Sequence, residues 1–142
     1  MSVVDNAIAR IQEIALACSA SGVTIRHAPD KPIENASNLP LVISHIVGGN
    51  AQQHESTTTK LETLIAVDFH FSRISLKKAY TEIDAIYPEF LKRLGGDPNL
   101  SGTVDTIQFP VEAEVIPSEW DNVTTQLLRF TISVKTLEEP IT

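Results

Sequence analysis

The stretch TKLETLIAVDFHF, residues 59–71, carries the clearest structural signal in the chain. Every second residue from Leu61 onward is large and apolar except Thr63, and the set is Leu61, Thr63, Ile65, Val67, Phe69 and Phe71. The positions between them are mostly polar or small and include Asp68 and His70. Side chains of a strand point alternately to its two faces, so the pattern predicts a half-buried β-strand with Asp68 and His70 on the outer face. A slip of one residue would exchange the two faces, which fixes the register.

Composition places the chain among globular domains and excludes several function classes. The 142 residues are 42% hydrophobic and 20% charged, which fits one domain over 1–142 with a real core. The formal net charge of -7 argues against a broad nucleic-acid-binding face, because such a face needs clustered Lys and Arg. A single cysteine, Cys18, allows no intrachain disulfide, and we expect it in the core. We expect no signal peptide and no membrane-spanning segment.

Apolar spacing along the rest of the chain predicts two helices and four long strands. The elements, in order, are a helix capped by Asp5 and ending at Ser21-Gly22, a short strand at 23–27, a loop at 28–38, a strand at 39–47, the strand at 59–71, a helix from Leu76 to Leu94, and strands at 103–116 and 123–136. Gly48-Gly49 is expected to stop the strand before it, and the polar residues 48–59 are expected to form a long hairpin arm. We expect a turn at 117–122 and a frayed tail, LEEPIT, at 137–142.

Two prolines predict local irregularities. Pro88 cannot donate a hydrogen bond inside the second helix, so a kink or a restart is expected there. Pro110 cannot contribute to a ladder, so its strand is expected at a sheet edge or with a bulge. The order helix-strand-strand-helix-strand-strand predicts an α+β two-layer sandwich: a mainly antiparallel four-stranded sheet with two helices on one face.

The residues that carry chemistry form no recognised catalytic or metal motif. None of His27, His45, His54 and His70 has metal-ligand spacing to another histidine or to the cysteine. Asp68 and His70 share a strand face, which suits a general-base pair but is also typical of a solvated surface or a subunit contact. His45 reaches the same surface only if the hairpin register brings it there. We predict no catalytic residue, cofactor or metal.

The layout as a whole is similar to the tail terminator (tail completion) proteins of long-tailed siphophages. The features that carry this resemblance are the Ala-rich first helix, a strand ending in Gly-Gly, a long polar arm, the strand LETLIAVDFHF, the kinked helix LKKAYTEIDAIYPEFLKRL and the closing strand TQLLRFTISVK. The resemblance covers nearly the whole chain. It implies a homohexameric ring that caps the tail tube, ends tube polymerisation and offers a docking surface to the head–tail connector.

The resemblance also implies partners and surfaces. The partners are further copies of the chain, the tail-tube protein and the neck connector, with DNA passing through the ring without specific binding and no membrane contact. The protein would be made in the host cytoplasm and reside at the tail–neck junction of the virion. Expected interface residues are Asn50, Gln52, Gln53, His54, Glu55, Trp120 and Arg129. Expected channel-facing acids are Glu55, Glu112 and Glu114.

Two alternatives stay open from the sequence. One is another structural protein of a phage neck or tail tube, because such proteins share parts of this plan. The other is a small oligomeric enzyme that uses Asp68 and His70. A structural role in the virion predicts no turnover, whereas the enzyme alternative predicts an activity that is lost in His70→Ala.

Overall fold

The fold is an α+β sandwich in which two helices cover one face of a mainly antiparallel sheet, as the sequence predicts. A computed structural model describes residues 3–21, 25–27, 39–55, 58–102, 104, 106–120 and 123–138. The elements are α1 (Val3–Ala17), a 3₁₀ turn (Cys18–Ser21), β1 (Arg26–His27), β2 (Leu41–Glu55), β3 (Thr58–Ser72), α2 (Leu76–Gly95), β4 (Thr106–Trp120) and β5 (Val123–Glu138). The predicted loop at 28–38 lies outside the described residues.

Five strands make one sheet in the order β1-β2-β3-β5-β4. The chain forms the hairpins β2–β3 and β4–β5, and helix α2 carries it past β5 to the far edge. Strand β1 adds two parallel pairs, Arg26 with Leu41 and His27 with Val42. The central pair is β3 with β5, which stays in register from Thr59–Glu138 to Ser72–Thr125.

The predicted strand at 59–71 forms the centre of the core. Ile65, Val67, Phe69 and Phe71 are fully buried beneath the helices. Phe69 meets Phe90 of α2 and Phe130 of β5 edge-on, with ring centroids 5.6 and 6.0 Å apart. Edge-to-face aromatic pairs contribute about 0.5–1.5 kcal/mol each beyond their buried area. This aromatic cluster therefore fastens α2 to the two central strands.

Helix α1 lies on the same face and is fixed to β2 by its one buried glutamine. Gln12 Nε2 donates to the Val42 carbonyl at 2.9 Å, and Ser44 Oγ donates to Gln12 Oε1 at 2.6 Å. Asp5 lies inside the first turn rather than at the cap, because α1 already begins at Val3. Cys18 is buried, as expected.

Helix α2 begins at a serine cap and passes through its proline. Ser75 Oγ accepts from the Lys78 amide at 3.3 Å. The helix then runs over 20 residues as one element with Pro88 inside it, so the predicted restart is wrong. Pro110 instead behaves as predicted: β4 is an edge strand, and its register with β5 shifts between Gln108 and Glu112.

Several strand ends lie further along the chain than the sequence indicates. Gly48 and Gly49 do not stop β2, which pairs with β3 as far as Glu55–Thr58. The described residues of the predicted arm, 48–55 and 58–59, therefore continue the ladder, while residues 56–57 lie outside the described residues. Strand β4 likewise continues through the predicted turn to Trp120, and β5 continues to Glu138. Residues 121–122 of that turn and 139–142 of the predicted tail lie outside the described residues.

Gly49 is required by the close approach of β3. A Cβ built at Gly49 would lie 2.6 Å from the Glu62 carbonyl oxygen, and the residue has φ +155°. Because the neighbouring atom is backbone, a side chain there must displace the ladder. The small residue therefore lets the two strands stay paired beyond the bulge at Val47.

We predict that Gly49→Ala lowers the free energy of unfolding by about 1–3 kcal/mol, because it forces backbone strain into the β2–β3 ladder. Urea denaturation followed by circular dichroism measures this. Gly95→Ala is the matched control, since a Cβ there meets nothing within 4 Å, and it should leave stability unchanged or raise it by up to about 1 kcal/mol. Equal stability of both variants would contradict the close approach.

Candidate functional site

The candidate site is a row of four ionisable side chains that crosses the sheet on the face opposite the helices. We call it the polar row, and its members are His45 of β2, Asp68 of β3, Arg129 of β5 and Glu114 of β4. The strand registers build it, because Asp68 stands opposite Arg129, and Arg129 stands opposite Glu114. His45 stands opposite Ala66, two pairs along from Asp68, and reaches the carboxylate diagonally.

Asp68 is the centre of the row. Arg129 donates to it twice, Nε to Oδ1 at 2.7 Å and Nη2 to Oδ2 at 2.9 Å. His45 Nε2 lies 2.9 Å from the same Oδ2. Since an ionised carboxylate only accepts hydrogen bonds, His45 must carry its proton on Nε2. Asp68 is 4% exposed, so this is a buried anion held by a bidentate cation and an imidazole.

The electrostatics of the row favour the ionised form of Asp68. Burial acts to raise the pKa of this carboxyl, but the hydrogen bonds from Arg129 and His45 outweigh burial and hold its pKa below the usual value. The hydrogen bond to Asp68 raises the pKa of the Arg129 guanidinium, and the charge of Glu114 adds to that effect. The row therefore carries alternating charge at neutral pH, with the Asp68 anion beside the Arg129 cation.

His70 lies on the same face but belongs to an apolar strip beside the row. It stands between Leu41 of β2 and Leu127 of β5, which are both buried. Its Nδ1 lies 2.9 Å from Thr125 Oγ1. Burial lowers the pKa of His70 to about 4, so the imidazole is neutral at pH 7.

Strand alternation predicts that Asp68 and His70 form a solvated pair on the surface, and this prediction is wrong in two respects. Both residues are buried, and Asp68 bonds to Arg129 and His45 rather than to His70. The physical reason is that neighbouring strands place apolar residues on this face too. On β5 the alternating polar residues of this face are Arg129, Thr131, Ser133 and Lys135, and that pattern gives no sign that Leu127 shares the face. On β2, Leu41 is the first residue of the strand.

The other predicted site residues fall into two groups. Glu112 and Glu114 are exposed on edge strand β4, and Asn50 is exposed on β2 opposite Glu62. Arg129 was predicted as an interface residue, but its guanidinium is engaged inside the sheet and its side chain is 31% exposed. The backbones of the remaining residues lie in β2 and β4, while their side chains lie outside the described part of the structure: Gln52, Gln53, His54, Glu55 and Trp120.

A second polar set lies further along the same face. Ser133 Oγ donates to Glu62 Oε1 at 3.2 Å, and Lys135 stands directly opposite Glu62 in the β3–β5 ladder. The described residues contain no group of three or more His, Cys, Asp or Glu side chains that could hold a metal ion. No helix in the described part of the chain is long and apolar enough to cross a membrane.

Comparison of the sequence with protein-family models and with curated proteins finds no match. The function is therefore inferred from the geometry of the sheet and from the layout of the chain.

We predict that acid destabilises the protein through His70. The folded pKa is about 4 and the unfolded value is about 6.5, so the unfolded state binds the proton first as pH falls. Stability should therefore decrease by about 2–3 kcal/mol between pH 7 and pH 4.5 from this group alone. Urea denaturation at a series of pH values measures the decrease.

His70→Gln is the control for this titration, because it keeps a polar side chain without an ionisable group. The difference between the two pH profiles isolates His70 from the other titrating groups, and Asp68 titrates at lower pH. A wild-type profile that runs parallel to that of His70→Gln over this interval would contradict the burial of a neutral imidazole.

Proposed function

We propose that this chain is a structural virion protein that forms a ring on the end of a phage tail tube. The ring ends polymerisation of the tube and offers a docking surface to the head–tail connector. The proposed mechanism is steric and interfacial, with no bond-making centre. It follows the resemblance in layout, and the following features of the sheet support it.

The observation that carries the proposal is a sheet whose two outer edges, over the residues that the structure describes, are largely unpaired and expose apolar side chains. Strand β4 is the outermost strand on one side, with Phe109, Val115 and Ile116 exposed by 59, 41 and 37%. On the other side, the described part of β1 covers β2 only at Leu41 and Val42. Unpaired strand edges attract further strands, so a stable protein covers them or uses them for assembly.

The hairpin of β2 and β3 extends the sheet beyond its buried part. Both strands have 15 residues, and none of the described β2 side chains after Val42 is buried. Gly49, Asn50 and Ala51 are all exposed. This segment gives the ring a projection that can contact a neighbouring subunit or the tube, as expected for the arm residues Asn50, Gln52, Gln53, His54 and Glu55.

Charge supports a channel through which DNA moves. The chain carries a formal net charge of -7, and Glu112 and Glu114 are exposed side by side on one face of β4. Acidic side chains around a lumen repel phosphate and disfavour adsorption of DNA. We propose Glu112, Glu114 and Glu55 as the acids nearest the channel.

Within the described residues, the polar row brings catalytic residue types together, and its geometry supports a structural role for them. A general base needs an oriented imidazole that can take a proton from a substrate. Here Asp68 is engaged by Arg129 and His45, and His70 is buried beside Leu41 and Leu127. No observation favours the enzyme alternative, whereas another neck or tail-tube protein would share the open edges.

Mixing the purified protein with polymerising tail-tube subunits of the same phage tests this proposal. We expect the length distribution of tubes in electron micrographs to shift to shorter lengths, with added density at one end. Ile116→Lys should abolish the shift, because a charged side chain on an open edge blocks strand pairing. Tyr80→Lys, an exposed residue of α2, is the matched control and should act like the wild type. Tube lengths that do not respond to the wild-type protein would contradict the proposal.

A further inference from the structure

The polar row ends differently at the two edges of the sheet. At the β2 edge it ends in His45, whose side chain is 39% exposed, and at the β4 edge it ends in exposed Glu114. Between them lie the Asp68 anion and the Arg129 cation. Across the sheet the order is therefore imidazole, carboxylate, guanidinium, carboxylate. A second copy placed beside the first would continue the alternation if its imidazole end met the carboxylate end.

Strand directions favour the same arrangement. Strand β2 is antiparallel to β3, β3 to β5, and β5 to β4. It follows that β2 and β4 run in opposite directions. When two copies stand side by side in the same orientation, β4 of one copy and β2 of the next meet as an antiparallel pair. That is the head-to-tail contact from which closed rings are built.

We propose that β4 of one subunit pairs with β2 of the next, with Glu114 opposite His45 of the neighbouring copy. This inference rests on the ring proposed above and names the surface that closes it. The sheet then continues from subunit to subunit, and hydrogen-bonding groups of β4 and β2 are paired along the contact. Nε2 of that imidazole already donates to Asp68, so Glu114 would accept a hydrogen bond from Nδ1 in the state in which both ring nitrogens carry a proton.

The register is set by what lies beside His45. With Glu114 opposite His45, antiparallel counting puts Ile116 opposite Ile43 and Ala113 opposite Ile46. These are apolar partners, and Ile46 is 52% exposed in the single chain. The pairing stops there for two reasons: β1 occupies Leu41 and Val42 of the neighbour, and Pro117 has no N–H to donate. A shift of two residues toward β1 would place Ile116 on Leu41, which is already paired.

The alternative edge contacts are electrostatically worse. Pairing β4 with β4 of another copy about a two-fold axis would bring Glu112 and Glu114 against the same acids, and like charges directly opposite are destabilising. Pairing β2 with β2 would leave the acidic edge uncovered on both sides. The head-to-tail pairing sets Glu114 against an imidazole and brings no two acids of β4 together, so it is favoured over either two-fold contact.

Disulfide trapping tests the contact. Glu114→Cys and His45→Cys proteins are prepared separately, mixed at high concentration with and without tail tubes, oxidised, and run on non-reducing gels. Directly opposite positions bring the Cβ atoms close enough for a disulfide. We expect a crosslinked dimer as the main product of the mixture and none from either protein alone. Cys18 does not interfere, because it is buried and burial raises its pKa to about 11.

Glu112→Cys mixed with His45→Cys is the matched control, because Glu112 is an exposed glutamate on the same face of the same strand. It lies diagonal to His45 in the proposed register, so its crosslinked yield should be about tenfold lower. Equal yields from both mixtures would overturn the register. Crosslinking of Glu114→Cys with itself would overturn the head-to-tail contact.

These experiments distinguish failure of the proposed β4–β2 contact from failure of the proposed function. If no mixture crosslinks while the wild-type protein forms rings and shortens tubes, the ring closes through another surface and this inference is wrong. If the wild-type protein neither forms rings nor changes tube length, it is the proposed function that fails.

Discussion

The ion pair between Asp68 and Arg129 joins the two strands at the middle of the sheet, and the rest of the polar face is arranged around it. Two charge-assisted hydrogen bonds of 2.7 and 2.9 Å fix the β3–β5 register on this face, while Phe69 and Phe130 fix it on the other. Removing Arg129 would leave the charge of Asp68 uncompensated in a buried position, which is costly. A slip between the central strands would therefore break the ion pair and the aromatic core together.

The Asp68–Arg129 pair also limits the chemistry that is possible on the sheet face opposite the helices. Both carboxylate oxygens of Asp68 are bonded by Arg129 and His45. The carboxylate therefore holds neighbouring strands together and is not available to a substrate. The row then ends at the sheet edges, in an imidazole on β2 and a carboxylate on β4. Those edges also carry exposed Ile46, Val47, Val115 and Ile116. We therefore propose that the protein functions through the edges of its sheet, where strand edges and apolar surface are exposed together, since these features favour self-association.

Periodicity was enough to predict the architecture, because the central strands β3 and β5 alternate between apolar and mostly polar or small residues over the part that packs beneath the helices. It failed where a local signal competed with pairing. Two glycines suggested a stop, yet Gly49 is what allows β2 to pass close to Glu62 and continue. The sequence predicts some residues of the candidate site but not how they come together. Asp68, His45 and Arg129 were all singled out, but their convergence depends on strand order and register, which a single sequence does not encode locally. The burial of His70 depends on Leu41 and Leu127, from two other strands.

The most direct test of the account is a double-mutant cycle on the central pair, measured as the free energy of unfolding at pH 7. Asp68→Asn, Arg129→Gln and the double variant keep polar side chains of similar reach. We expect Asp68→Asn to cost about 2–4 kcal/mol, below the full range for a buried pair because Arg129 is partly exposed, with a coupling energy of about 2–3 kcal/mol. A coupling energy below about 0.5 kcal/mol would contradict it, since Asp68 would then be free for a role other than holding the sheet together.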